Sequence, residues 1–582
     1  MTDTAPVSSA PARGWSRFLP IPRWARQYRR PYLRGDLTAG VTVAVMLIPQ
    51  GMAYASLAGM PPATGLYAAI VGIVAYALLG TSSSLAVGPV AITSLLTVSG
   101  LQAITSPDDP SYATAAALLA LTVGAILLLA GVLRLGFLVN FLSHPVVSGF
   151  TSAAAVTIAV SQLKDLLGVD IGRPEGVLAT LRALSAELGA LNGWTLAIGL
   201  GAITTLAVAR RVAPRLPAAL AVMATATVLT WAASLTDRGV AVLGDVPAGL
   251  PSPKLPEGSG VRMVDLLPVA VTIAVVAFAE GVSVAKAIAR RTRERIDADR
   301  ELLATGAANV ASGLFGGFPI AGGFSRTAVN HDAGARTPLA SLFTAGTLTA
   351  FVLLLTPALH FLPKAVLAAV VVVAVAGLID LRDAIETFRI KRVDFASLGV
   401  TFLATLLIGV ETGLAIGVGF SLLLFMVRSA NPHTTELGRV EGTDEYRNVD
   451  RWPTCRSDRV LVLRVDAPLF FANTKALEDR LATLLADRPA VRAVVLDASG
   501  IGDLDSSGAH ALRALDADLA EAGVSLHLAT VRGPVRDVMA RAGLWDALAG
   551  RIHPSIRAAV AAVEPDSPLL RHESLEQAVA VL

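Results

Sequence analysis

Between Leu37 and Leu163 the chain carries three charged side chains in 127 residues: Asp108, Asp109 and Arg134. A water-facing domain of that length would be about one quarter charged, so this stretch is built for lipid. From Asn431 to Leu582 the pattern reverses, with 39 charged side chains in 152 residues, an ordinary globular proportion. The chain therefore meets two solvents in turn, lipid and then water. That excludes a soluble enzyme, a disordered chain and a collagen-like fibre. It also excludes a disulfide-built secreted module, because Cys455 is the only cysteine. Net charge is +3, with 42 Arg against 6 Lys and no long basic run interleaved with aromatics, so nucleic-acid binding has no support.

Residues 1–35, read as a cytoplasmic N-terminal segment, hold Arg13, Arg17, Arg23, Arg26, Arg29, Arg30 and Arg34 ahead of any apolar run. That order differs from a secretory leader, and basic residues beside a first span stay cytoplasmic. Residues 36–429, read as the transmembrane domain, divide into fourteen segments. These start near Leu37, Ala63, Gly88, Tyr112, Pro145, Trp194, Leu216, Val264, Glu301, Ser325, Pro338, Pro363, Asp394 and Thr412. A crossing helix needs about 20 residues, and the third and tenth segments are too short.

With the N-terminus inside, connections after even-numbered segments are also inside, and there the bases collect. Arg134 follows the fourth segment; Arg210, Arg211 and Arg215 follow the sixth. Arg290, Arg291, Arg293, Arg295 and Arg300 follow the eighth, and Arg382, Arg389, Lys391 and Arg392 the twelfth. The expectation is a multi-pass protein of a cell inner membrane with both termini cytoplasmic. A count of twelve spans would leave the C-terminus on the same side.

The first span opens after Asp36 and the eighth near Asp265, 229 residues later; the two short segments open near Gly88 and Ser325, 237 apart. Two sets of seven in register imply a 7+7 inverted repeat, since an odd number of crossings starts the second half from the opposite face. Interrupted segments at matching places in such a repeat point to a substrate site near the midplane.

Segment three follows Thr81-Ser-Ser-Ser84 and starts Gly88-Pro89-Val90-Ala91, which predicts Gly88 at a cap position and Pro89 at the first helical position. Segment ten follows a glycine-rich run over 316–323 and starts Phe324-Ser325-Arg326-Thr327, where Ser325 can cap. Each start leaves N–H donors carrying about half a positive charge, and two converging starts inside hydrocarbon suit an anion. Arg326 opposes its own helix dipole unless an anion lies between them; pairing with Glu280 is the other use open to it. Gly59, Gly65, Gly72 and Gly80 are read as packing glycines.

Glu280 is the only charge between Asp265 and Lys286. A carboxylate that costly suggests a proton or cation site, with helix-interface hydrogen bonding as the plainer use. Gln50 and Tyr54 share a helix face after Pro49 and can line a cavity. The expected substrate-binding set is Gln50, Tyr54, Gly88, Val90, Ala91, Phe324, Ser325 and Arg326, with Glu280 for the coupling ion. The sequence offers no metal-ligand spacing, no nucleophile with its base and no phosphate-cradling loop with a lysine, so no metal, cofactor or catalytic residue is expected. His144, His331 and His360 stand singly.

Gln50-Gly-Met-Ala-Tyr-Ala55, the Gly88-Pro89-Val90-Ala91 start, and Asn309 through Gly334 with its Gly322-Gly-Phe-Ser-Arg-Thr-Ala-Val-Asn330 core resemble the SulP sulfate permease family of anion transporters. The likeness covers nearly the whole chain. It implies a core domain, holding segments three and ten, that carries an anion across by an elevator-like displacement against a gate domain. It also implies a homodimer. For the family's sodium-coupled bicarbonate branch it implies an acid with a hydroxyl four residues later in span eight. Here Val284 occupies that place and Ser283 precedes it, which leaves a co-transported proton as the expectation, ahead of sodium.

A polar linker is read over 430–458, an α/β domain over 459–563 and a C-terminal tail over 564–582. Strands are expected at Val460–Val465, Val491–Leu496 and Val524–Ala529, with helices from Thr474, Ser507 and Pro534. The turn from Asp497 to Gly508, with Asp505-Ser506-Ser507-Gly508, is similar to that of the STAS domain that closes SulP chains, in which the position of Ser506 can be phosphorylated. A phosphate there would sit at a helix N-terminus; a plain helix cap by Asp505 and Ser506 is the simpler use. Three functions stay open: a secondary transporter of a small inorganic or carboxylic anion (sulfate, bicarbonate or dicarboxylate), a nucleobase permease of the same fold, for which Arg326 is ill suited, and a membrane-tethered scaffold whose cytoplasmic domain binds a protein partner.

Overall fold

The computed structural model describes Trp24 and residues 28–141, 143–172, 174, 176–213, 217–245, 249–256 and 260–570. The N-terminal arginines up to Arg26, Arg215 and the tail beyond residue 570 lie outside the described residues. The chain divides into two compact units, residues 1–421 and 422–582.

In the first unit the apolar runs fold as helices in the expected order. They are α1 (Tyr32–Leu57), α2 (Pro62–Leu79), α3 (Ala91–Gln102), α4 (Tyr112–Val132), α5 (His144–Ser161) with its short continuation α6 (Leu163–Leu167), α7 (Val177–Ala186), α8 (Gly193–Val212) and α9 (Ala218–Ala232). The second half supplies α10 (Leu267–Thr292), α11 (Ala298–Leu314), α12 (Phe324–Asp332), α13 (Leu339–Leu354), α14 (Lys364–Val375), α15 (Leu381–Ile390), α16 (Arg392–Leu407) and α17 (Val410–Ala430). Two-residue strands, β1 (Val87–Gly88) and β2 (Ala321–Gly322), lead into α3 and α12. Among the described residues eight helical stretches are long and apolar enough to cross a membrane, counting α5 with α6 and α14 with α15. Prolines in the first turns of α2, α5 and α10 start those helices where a missing N–H does no harm. Side chains such as Val212 and Leu354, 78% and 75% exposed, are what lipid contact requires.

Two helices fall outside the fourteen segments. α7 and α15 each follow the fifth segment of their half, and both alternate polar and apolar residues too evenly for hydropathy alone to reveal them.

Buried polar groups tie the two halves together. Asp36, read as lying just before the first span, is inside α1 and fully buried. Its carboxylate accepts from the Arg336 and Thr337 amides (2.7 and 3.0 Å) and the Thr337 hydroxyl (2.6 Å). Glu301 accepts from the Tyr76 hydroxyl (2.7 Å), the Thr81 amide (2.8 Å) and the Thr81 hydroxyl (2.5 Å). Buried carboxylates satisfied in this way orient the elements they join. Of the four glycines read as packing residues, Gly65 meets the Gly51 carbonyl, Gly72 meets Ile320 and Gly80 meets Tyr76. Gly59 differs: its φ of +77° serves the turn after α1.

The second unit is a seven-stranded sheet: β3 (Thr434–Val440), β4 (Tyr446–Asn448), β5 (Thr454–Cys455), β6 (Val460–Val465), β7 (Ala493–Asp497), β8 (Ser525–Ala529) and β9 (Ile552–His553). Its order is β4-β3-β6-β7-β8-β9, with β5 on β3 and with β6 to β9 parallel. Helices α18 (Thr474–Asp487), α19 (Ser506–Glu521) and α20 (Gly533–Arg541) cover Leu461, Leu463, Val494 and Leu496. The short α21 (Leu544–Ala547) adds Leu544 to that face, while α22 (Ile556–Val563) covers Val460, Val462 and Val495 on the other.

The linker read over 430–458 is corrected here. β3 pairs antiparallel with β6, so residues 434–455 extend the sheet. The tail begins later than expected as well: Leu569 is buried against the sheet, and Glu564 accepts from the Ser457 hydroxyl at 2.6 Å.

Candidate functional site

The two short helices meet through their leading strands. β1 and β2 pair antiparallel, Val87 opposite Gly322 and Gly88 opposite Ala321. Paired strands lie about 4.8 Å apart, so α3 and α12 begin side by side from matching places in the two halves. Asn309 of α11 pins β2 in place: its amide donates to the Ile320 carbonyl and accepts from the Ile320 N–H, both at 2.9 Å. Asn330 donates to the Ser84 carbonyl (2.9 Å), and the Thr327 hydroxyl accepts from the Ala86 amide (3.1 Å), which fixes the β1 side. Neither asparagine nor the threonine was among the expected site residues; Asn309 stands as a polar side chain in the interior of α11, and Thr327 and Asn330 lie in the polar run that follows Arg326.

Both cap assignments shift. Helix α3 begins at Ala91 with Val90 as its cap residue, because Gly88 is in the β1 ladder, at φ +155°, and the Pro89 carbonyl is an acceptor. Helix α12 begins at Phe324 with Gly323 as its cap residue, and Ser325 makes no capping bond from the first turn. The anion-inviting property survives, since neither start has a side-chain cap and the first-turn amides have no intrahelical acceptor.

Arg326 is 2% exposed and folds back between the two starts. Its Nη1 donates to the Pro89 carbonyl at 2.8 Å and reaches Gln50 Oε1 at 3.4 Å. A Cβ placed on Gly323 would lie 2.7 Å from Nη2, so glycine makes room for the guanidinium. Nε and Nη2 are buried with no hydrogen-bond partner. No ion pair within 4.0 Å joins Arg326 to Glu280 among the described residues.

Of the remaining expected residues, Gln50 is half-buried, Tyr54, Val90 and Ala91 are buried, and Phe324 and Ser325 are exposed. The starts therefore open outward on one side. Glu280 lies one turn from Ala277, which packs with Val90 and Ala321, and Gly281 approaches Gly322 closely. Glu280 Oε2 is buried without a partner. Val284 is 4% exposed in apolar packing with Leu85, Val87 and Ile320, while Ser283 is exposed. A second unpartnered carboxylate atom, Glu411 Oε1 of α17, lies where Gly100 of α3 leaves room for it; nothing in the local sequence marked it.

Residues 33–401 match the model of the Sulfate permease family, and residues 451–559 match that of the STAS domain. The chain belongs to the sulfate permease family. It is 36% identical over 562 residues to Probable sulfate transporter 4.2 of Arabidopsis thaliana, covering 92% of this chain and 83% of that one. It is 37% identical over 523 residues to a Probable sulfate transporter of Mycobacterium tuberculosis, covering 90% and 93%. Its fold is similar to that of the murine solute carrier 26 family member A9 anion transporter in the inward-facing state, with a TM-score of 0.87 at 24% identity over 96% of each chain. The transmembrane domain of a cyanobacterial bicarbonate transporter, BicA, aligns with a TM-score of 0.58 over 68% of this chain and 98% of that one. The protein is thus a multi-pass membrane transporter of this family with a STAS domain, and not an enzyme.

Proposed function

We propose that the protein is a secondary active transporter of a small oxyanion or carboxylate, sulfate, bicarbonate or a dicarboxylate, held between the starts of α3 and α12. The observation that carries this reading is the guanidinium of Arg326. A buried cation with two unsatisfied donors is costly in a low-dielectric interior, and it lies between two uncapped helix starts whose amides also seek an acceptor. One anion satisfies all of them. Gln50, Tyr54, Val90, Ala91, Phe324 and Ser325 line the approach.

Glu280, one turn of α10 beyond the contact with Val90, is the proton-coupling residue in this reading. Val284 four residues on has no hydroxyl of the kind a sodium site would use, which favours the proton. Transport proceeds by an elevator-like displacement of the α3/α12 core past the remaining helices, in a homodimer with both termini cytoplasmic. Ser506, exposed at the first position of α19 beside its cap residue Asp505, is the proposed phosphorylation site through which the STAS domain answers to a cytoplasmic partner.

Uptake of labelled sulfate, bicarbonate and dicarboxylate into proteoliposomes, under separately imposed proton and sodium gradients, tests the reading. Accumulation of at least one of these anions driven by the proton gradient is expected. Absence of flux for all three would defeat it.

A further inference from the structure

We propose that α15 is an interfacial helix that recognises anionic lipid headgroups of the cytoplasmic leaflet. It joins two membrane segments: α14 ends three residues short of the Ile379–Asp380 break that precedes it, and Lys391 alone separates it from α16. It must therefore lie at the membrane surface, yet none of its residues is buried. Leu381, Ile385 and Phe388 form a stripe at helical spacing, with Ile390 beyond it, and all four are exposed. Phe388 meets Phe395 of α16 edge-on, with ring centroids 5.1 Å apart, and an apolar stripe left this exposed on a helix of this position fits the boundary between headgroups and acyl chains.

Charge selects which leaflet and which lipid. Arg382, Arg389, Lys391 and Arg392 are exposed, and none forms an ion pair among the described residues; Arg392 lies 5.8 Å over the Phe388 ring. The nearby acids are largely engaged elsewhere. Asp380 caps the helix by accepting from the Arg382 and Asp383 amides, both at 3.0 Å. Asp383 accepts from the Ser148 hydroxyl at 2.6 Å and lies 3.8 Å from His144. Glu386 remains exposed.

The matching helix of the first half, α7, also exposes an apolar stripe, at Leu178 and Leu181, but carries Arg182 as its only base. An inverted arrangement puts α7 on the other leaflet, so the basic cluster marks one face alone. Arg210, at the end of α8, donates to the Val373 carbonyl of α14 at 2.7 Å, which places α15 at the arginine-rich face.

The proposal rests on the cytoplasmic placement of that face. Protease access to an N-terminal tag tests the placement independently of any lipid preference.

The test is bilayer-depth quenching on the full chain reconstituted in vesicles, with Phe388→Trp as the reporter. The fluorescence increment over the unsubstituted protein is read with either brominated phosphatidylglycerol or brominated phosphatidylcholine as quencher in otherwise identical vesicles. A basic residue near an anionic surface favours it by about fivefold, so quenching should report at least about fivefold enrichment of phosphatidylglycerol beside residue 388. In a combined Arg382→Gln, Arg389→Gln and Lys391→Gln protein the two lipids should quench alike. Equal quenching by both lipids before those substitutions, or no quenching by either, would overturn the proposal.

Discussion

At the scale of single residues, the membrane site turns on side chains that the fold buries without satisfying. Glu280 carries the proposed coupling role, with Oε2 unpartnered one helical turn from Ala277, which packs against Val90. Glu280→Gln should keep anion binding but lose the response of uptake to an imposed proton gradient; pH-independent uptake by the unsubstituted protein would remove this role. In the C-terminal unit His527 is a sensitive residue of another kind. Burial, then the neighbouring His553 and Arg551, push its imidazole down to about 4. An unfolded histidine takes its proton near pH 6.5. Between roughly pH 6.5 and 4 the unfolded chain therefore binds the extra proton, so stability falls as pH drops through that window and levels off below it. The loss is at most about 3 kcal/mol. Thermal unfolding of the C-terminal unit across that range should show the decline, and His527→Gln should flatten it. Equal slopes for the two proteins would contradict the assignment.

At the scale of elements, close approach of helices does what side-chain packing does in a soluble core. A Cβ on Gly65 would lie 1.9 Å from the Gly51 carbonyl oxygen, so Gly65→Ala must push α1 and α2 apart. We expect a loss of about 1–3 kcal/mol, read as a lower unfolding midpoint in detergent. Gly201→Ala in α8, which meets open space, should change little; equal effects would deny the backbone contact its role. Much of this level was legible in the sequence. Strand β6 was placed to the residue, and the membrane helices follow the apolar runs. What escaped has physical reasons. Two-residue strands such as β1 and β2 show no alternation to read, so the α3 cap fell at Val90, two residues after Gly88, and the α12 cap at Gly323, two residues before Ser325. The strand Thr434–Val440 hid in a polar stretch, and three of its eight paired positions, Leu463, Arg464 and Val465, come from beyond residue 459. Glu411 stands one residue before Thr412, where the last segment was read to start, and only the fold brings it against Gly100.

At the scale of the molecule, the change in charge density near residue 430 separated a membrane unit from a soluble one, and the 229- and 237-residue offsets revealed two halves in register. The sequence also carried Arg326 and both helix starts; what it lacked was the convergence itself, which depends on β1 pairing with β2 across the halves. That convergence underlies the transport reading, and equilibrium binding of labelled sulfate, bicarbonate and a dicarboxylate to the purified protein and to Arg326→Ala tests it most directly. Charge-assisted hydrogen bonds of about 1.5–3 kcal/mol predict an affinity at least about tenfold weaker in the variant, with its unfolding midpoint largely preserved. Unchanged affinity for every anion that binds the parent protein would place the ligand elsewhere and contradict the account.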